Sequence, residues 1–186
     1  MAEYHLTTPL KDEDVTKLRA GDKVLLSGAV YTARDAAHKR MVEMIGKGET
    51  LPFPLEGSVI YYVGPTPPPP GRPIGATTPT SAYRMDAFAP YFHSLGVKAT
   101  IGKGIRSEAL RTSLRDHNAV YLSGTAGAGA LLSRAVTKTD MLAFPELGPE
   151  AIRIFELENM PLMVMYDSVG GTVFVEPNLK AVGLAG

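Results

Sequence analysis

The sequence predicts a single α/β domain in which mostly parallel strands alternate with helices. Short apolar, β-branched runs recur along the chain, and stretches of roughly ten residues with helical spacing separate them. The length of 186 residues suits one domain with a sizeable core of its own.

Lys23-Val24-Leu25-Leu26 opens a strand over 23–31 that closes on small residues. Ala33, Ala36, Ala37, Met41 and Met44 then give a helical stripe over 32–46, with Thr32 as N-cap and Gly46 and Gly48 as stops. Val59-Ile60-Tyr61-Tyr62-Val63 is a second strand. It runs into 64–73, where six prolines forbid helix and ladder pairing and predict an extended, polyproline-like surface loop. A short strand at 74–76, a helix over 81–95 ending at Gly96, and a strand over 97–101 follow. Ser107 caps a helix to His117, and a strand covers 119–122. The small residues Gly124 to Ala130 lead into a helix through Ala135. A strand over 139–144, a helix over 149–158, a strand over 162–166 and an extended piece at 171–176 complete the pattern, and a frayed tail is expected over 178–186.

Composition narrows the function classes. Nineteen Lys+Arg balance 19 Asp+Glu, so no general pull towards nucleic acid or acidic membrane is expected. Zero cysteines exclude disulfides, thiolate nucleophiles and any iron–sulfur cluster held by this chain alone. No signal-like start and no membrane-length apolar stretch is visible, which predicts a soluble, cytoplasmic protein. His5, His38, His93 and His117 lack metal-ligand spacing, and neither a P-loop nor G-x-S-x-G occurs.

Three cations stand at turns. Arg34 lies at a predicted helix start, Arg84 at another strand-to-helix passage, and Lys103 in Gly102-Lys103-Gly104 directly after a strand. Ligands of open α/β sheets gather beyond the strands' carboxyl ends, so these residues suit a small dicarboxylate. Arginine adds a planar fork that matches a carboxylate. Taken singly, each is more simply explained as an ordinary surface charge. In Thr77-Thr78-Pro79-Thr80-Ser81, Thr80 or Ser81 reads first as a helix cap; a catalytic hydroxyl there needs activation by nearby cations. Gly124-Thr125-Ala126-Gly127-Ala128-Gly129 has the wrong spacing for a dinucleotide fingerprint and reads as a tight turn.

Read together, several blocks resemble the class I fumarate hydratase / L-tartrate dehydratase family, in its beta subunit or the equivalent C-terminal domain. They are Leu6-Thr7-Thr8-Pro9-Leu10, Ala33-Arg34-Asp35-Ala36-Ala37-His38-Lys39-Arg40, Tyr61-Tyr62-Val63-Gly64-Pro65, Pro79-Thr80-Ser81-Ala82-Tyr83-Arg84-Met85-Asp86 and Ile101-Gly102-Lys103-Gly104. Gly148-Pro149-Glu150-Ala151-Ile152 and Asp167-Ser168-Val169-Gly170-Gly171 fit as well. The resemblance implies a swivelling β/β/α domain that works beside an alpha subunit carrying a [4Fe-4S] cluster, in an α2β2 assembly. It implies reversible hydration of fumarate to L-malate, or dehydration of L-tartrate to oxaloacetate, with the leaving hydroxyl activated by the partner's iron. Arg34, Arg84 and Lys103 would hold the substrate carboxylates, Thr80 would be the catalytic proton-transfer group, and Asp35 or Asp86 would orient a guanidinium. Ile105 and Thr78-Pro79-Thr80-Ser81 depart from the family's usual blocks. A non-catalytic swivelling domain that regulates or scaffolds a partner, and a stand-alone small-anion binder, are the alternatives from other classes.

Overall fold

The computed structural model describes residues 1–124 and 129–174. The expected Gly-rich turn falls largely on 125–128, and the end of the extended piece and the tail fall after 174, so these lie outside the described residues.

In chain order the elements are β1 (Glu3–Thr7), α1 (Asp12–Thr16), β2 (Lys23–Thr32), α2 (Asp35–Gly46), β3 (Val59–Tyr61), a 3-10 turn (Tyr83–Ala87) and α3 (Ala89–Ser94). Then come β4 (Ala99–Ile101), α4 (Glu108–Asp116), β5 (Val120–Ser123), α5 (Gly129–Leu132), a second 3-10 turn (Ser133–Ala135), β6 (Val136–Ala143), a third 3-10 turn (Pro145–Glu150) and β7 (Ile152–Tyr166).

Among the described residues seven strands join one sheet, ordered β1-β2-β3-β4-β5-β7-β6, and a further pairing of β7 with β2 closes five of them into a barrel-like ring. β1 through β5 pair in parallel, whereas β7 runs antiparallel to β2, β5 and β6. The sheet is therefore mixed and closed, more so than the expected mostly parallel pattern.

Closure works because two long strands each serve two neighbours along one edge. β1 pairs with residues 23–27 of β2, and β3 takes over at Tyr31 and Thr32, while β7 follows the opposite edge. The handover sits at Gly28, where φ is +93° and the register shifts. A Cβ there would stand 2.6 Å from the Thr8 hydroxyl, so only glycine lets β1 leave the edge so closely.

Strand alternation divides the apolar residues into two clusters. Val59, Tyr61 and Val63 point into the ring with Leu26, Val30, Ile101, Leu122 and Phe155. Ile60 and Tyr62 point outward, where Ala37 and Met41 of α2, Phe92 of α3 and Leu110 and Leu114 of α4 cover them. Both faces are buried, as parallel strands under helices require.

Several expected elements change. The helix expected over 149–158 is instead a 3-10 turn followed by the first part of β7. Ile152 and Phe155 suit a helical spacing, but this segment's backbone closes the ring against β2 and β6, and that pairing decides. Thr32 does not cap α2; it ends β2, and its hydroxyl donates to the Ala151 carbonyl while accepting the Arg153 N–H. The helix expected over 81–95 splits at Phe88 into the 3-10 turn and α3, because Pro90 in the first turn of α3 has no N–H to bond back to the preceding turn. No strand forms at 74–76. Val63 bridges Pro79 instead. β1 and α1 have no counterpart in the sequence pattern.

Candidate functional site

Parallel pairing sends the carboxyl ends of β2, β3 and β4 to the same side of the sheet. Arg34 follows β2 directly, Gly64 follows β3, and Lys103 follows β4. Thr80 is drawn to the same place by its N–H, which donates to the Tyr62 carbonyl at 2.8 Å. Lys103 then donates its N–H to the Thr80 carbonyl at 3.1 Å, and its own carbonyl accepts from the Ala82 N–H at 2.9 Å. The two loops thus form a short parallel bridge, Ser81 against Lys103, with Arg84 three residues on.

Arg34 is the most constrained of the cations. Its guanidinium lies 3.2 Å from Glu150 and 4.0 Å from Asp35, and the same Asp35 oxygen is 3.3 Å from Arg84. One carboxylate therefore lies between two guanidinium groups and brings them together. The second Glu150 oxygen accepts the Ala36 N–H at 3.0 Å, a favourable place for negative charge at the start of α2. On its other side Arg34 packs against Gly64, where a Cβ would stand 2.9 Å from Nη1.

His38, one turn into α2, is fully buried. Its Nδ1 lies 2.8 Å from the Arg34 carbonyl, and its ring packs against Phe88, Tyr62 and Phe92. Burial penalises the charged imidazolium and pushes its pKa down to about 4, so the ring is neutral and acts as a donor to the Arg34 backbone.

Thr80 is half-buried. The 3-10 turn after it has Ala82 as N-cap and takes no side-chain cap, so neither Thr80 nor Ser81 caps it. Arg84 is 48% exposed along its side chain and Lys103 is exposed, so the site is open on one side. Tyr83 and Ile105 stand exposed beside them, each at 62%.

Asp86 does not serve Arg84. It pairs with Arg106, Nε to Oδ1 at 2.5 Å, and accepts the Ser107 N–H at 2.6 Å. The Arg106 side chain is fully buried, with its guanidinium carbon 4.6 Å from the centre of the Tyr121 ring and 5.5 Å from that of Tyr62. This pair ties the turn carrying Arg84 to the loop carrying Lys103. Arg106, Glu150, Gly64 and His38 are the residues that sequence reasoning missed as parts of the site. His38, Gly64 and Glu150 lie in blocks that carry the family resemblance, without a role read from them, and Arg106 lies in none.

Two guanidinium groups meeting at one carboxylate, beside backbone-linked loops that carry a hydroxyl and an ammonium, can bind a small dianion and move a proton beside it. Among the described residues no group of three or more His, Asp or Glu could hold a metal ion, and the chain has no cysteine.

A family model described as Fumarase C-terminus matches residues 1–176. The chain is 38% identical over 179 residues to a putative L(+)-tartrate dehydratase subunit beta of Methanocaldococcus jannaschii, covering 92% of this chain and 91% of that one. It is 35% identical over 164 residues to fumarate hydratase 2 of Leishmania major, covering 87% of this chain but 29% of the relative. With the L(+)-tartrate dehydratase subunit beta of Escherichia coli it shares 30% identity over 176 residues, 92% of this chain and 86% of the relative. The chain thus spans under a third of that fumarate hydratase and most of each beta subunit.

Proposed function

The chain belongs to the Fumarase C-terminus family, and from that premise we propose that it is the beta subunit of a class I hydro-lyase that reversibly hydrates fumarate to L-malate. In this reading the closed ring with helices outside it is the family's swivelling β/β/α domain. It works with an alpha subunit, in an α2β2 assembly, and the [4Fe-4S] cluster belongs to that partner. The sequence has no cysteine to hold a cluster, and this chain's part of the reaction falls to its own cations and hydroxyl.

Arg34 and Arg84 each present a fork to one substrate carboxylate, and Lys103 adds a point charge. When water is lost from malate, the C3 proton leaves to Thr80, and the electron pair it leaves behind spreads into the adjacent carboxylate. That pair then forms the C2–C3 double bond as the C2 hydroxyl departs, a leaving group that the partner's cluster would activate. Fixed cations stabilise that charge without having to reorganise. In the hydration direction Thr80 returns the proton to C3. The surrounding cations lower the cost of the alkoxide that this exchange requires.

The observation that carries this reading is the pair of arginines meeting at one Asp35 oxygen beside the hydrogen-bonded Thr80–Lys103 loops. L-tartrate is the second candidate substrate, favoured because relatives of this chain's own length bear the name tartrate dehydratase subunit beta. Anaerobic reconstitution with the alpha subunit, assayed on fumarate, L-malate and both tartrate enantiomers, tests the proposal. Activity on a four-carbon dicarboxylate from the complex alone is expected. Turnover by the isolated chain, or none by the loaded complex on any of the four, would reject it.

A further inference from the structure

Between the proline-rich loop and the β6–β7 ladder lies a cleft of about 360 Å³. Pro67, Pro68, Pro73 and Ile74 wall it, and Thr139 and Arg153 line it from the ladder. Thr139 sits opposite Phe155, and Met141 opposite Arg153, so period-two alternation puts Thr139 and Arg153 on one face as diagonal neighbours.

Both side chains are short of partners. The Thr139 hydroxyl and the Arg153 Nε are shielded from solvent without a hydrogen bond, and no ion pair among the described residues engages Arg153. A shielded guanidinium N–H with nothing to donate to is costly, and the cleft is the direction in which an acceptor can arrive. An adjoining cleft shares Thr66, Pro67 and Ile74 and adds Arg72 and Arg134, so the neighbourhood is cationic.

The walls set the rest of the ligand's chemistry. Rigid proline rings offer flat apolar surface, which repays an apolar body and not a second charge. The volume is near the lower end of small-molecule sites, roughly 300–1,000 Å³. We propose that this cleft binds a small organic acid with a flat apolar body, its carboxylate on Arg153 and Thr139 and its ring against the proline wall. The proposal stands independently of the reading of the Arg34 site.

Titration of the full-length ¹⁵N-labelled chain with benzoate, in the millimolar range, tests it by amide shifts. Saturable shifts clustered at Thr66, Ile74, Thr139 and Arg153 are expected. Arg153→Gln should weaken binding at least about ten-fold, Thr139→Val should weaken it less, and benzyl alcohol should not saturate over the same range. Shifts that do not saturate, shifts centred elsewhere, undiminished binding by Arg153→Gln, or equal binding of benzyl alcohol would each overturn it. Should Arg153→Gln not fold, the Thr139→Val and benzyl alcohol comparisons still decide, and equal affinity in either rejects the site.

Discussion

Arg34 is fixed through both its backbone and its guanidinium. His38 holds its carbonyl, Glu150 and Asp35 its charge, and Gly64 leaves just enough room for Nη1. In Gly64→Ala the new Cβ would lie 2.9 Å from Nη1 and 3.3 Å from the Pro149 Cβ, so the guanidinium must move by a few tenths of an ångström. Steady-state kinetics of the reconstituted complex should then show a raised KM for dicarboxylate with little change in melting temperature. An unaltered KM would speak against Arg34 as a carboxylate clamp. The two buried histidines make a second prediction at this scale. Burial holds His38 at a pKa of about 4 and His93 at about 3, below the roughly 6.5 of an unfolded histidine. Above about pH 6.5 both states are neutral and nothing is lost. As pH falls from there towards 4, the unfolded chain takes up protons that the folded chain refuses, so stability declines by about 1.4 kcal/mol per pH unit for each histidine. Urea denaturation between pH 6 and 4.5 should show His38→Gln with a shallower slope than wild type by about that amount; identical slopes would contradict the assignment.

At the scale of elements, the Asp86–Arg106 pair joins the 3-10 turn behind Arg84 to the start of α4 behind Lys103. Arg106→Leu leaves a largely buried carboxylate without its cation, a change that costs about 3–5 kcal/mol when a buried pair is broken on one side. Chemical denaturation of the variant should show a loss of that order, whereas a loss below about 1 kcal/mol would mean the pair is not a structural tie. Local signals made some elements readable in advance. Ser107 does cap α4, accepting the Leu110 N–H at 3.2 Å, and the apolar runs of β2 to β5 fall within a few residues of their expected bounds. Segments decided by distant partners were not readable. β7 carries an apolar spacing that also suits a helix, and only ring closure against β2 makes it a strand. Arg84, Arg34 and Lys103 stood out because each falls at a turn among small or turn-forming residues and not on an amphipathic face. Arg106 follows the same loop without any pattern of its own, and its burial between Tyr62 and Tyr121 depends on contacts from three strands and a turn.

Across the whole molecule, charge is balanced at 19 against 19, yet the parallel carboxyl ends gather Arg34, Arg84 and Lys103 around one open face. The half-exposed Arg84, the exposed Lys103 and the exposed Tyr83 and Ile105 give that face both charge and apolar surface, which suits a pocket that another polypeptide completes. The most direct measurement is kcat/KM for fumarate hydration by the anaerobically reconstituted complex, wild type against Arg84→Ala. Removing a guanidinium that meets a carboxylate in the transition state should lower it by about 2–5 kcal/mol, roughly 30-fold to several thousand-fold. A variant complex that retains its cluster content and turns over fumarate within two-fold of wild type would contradict the account.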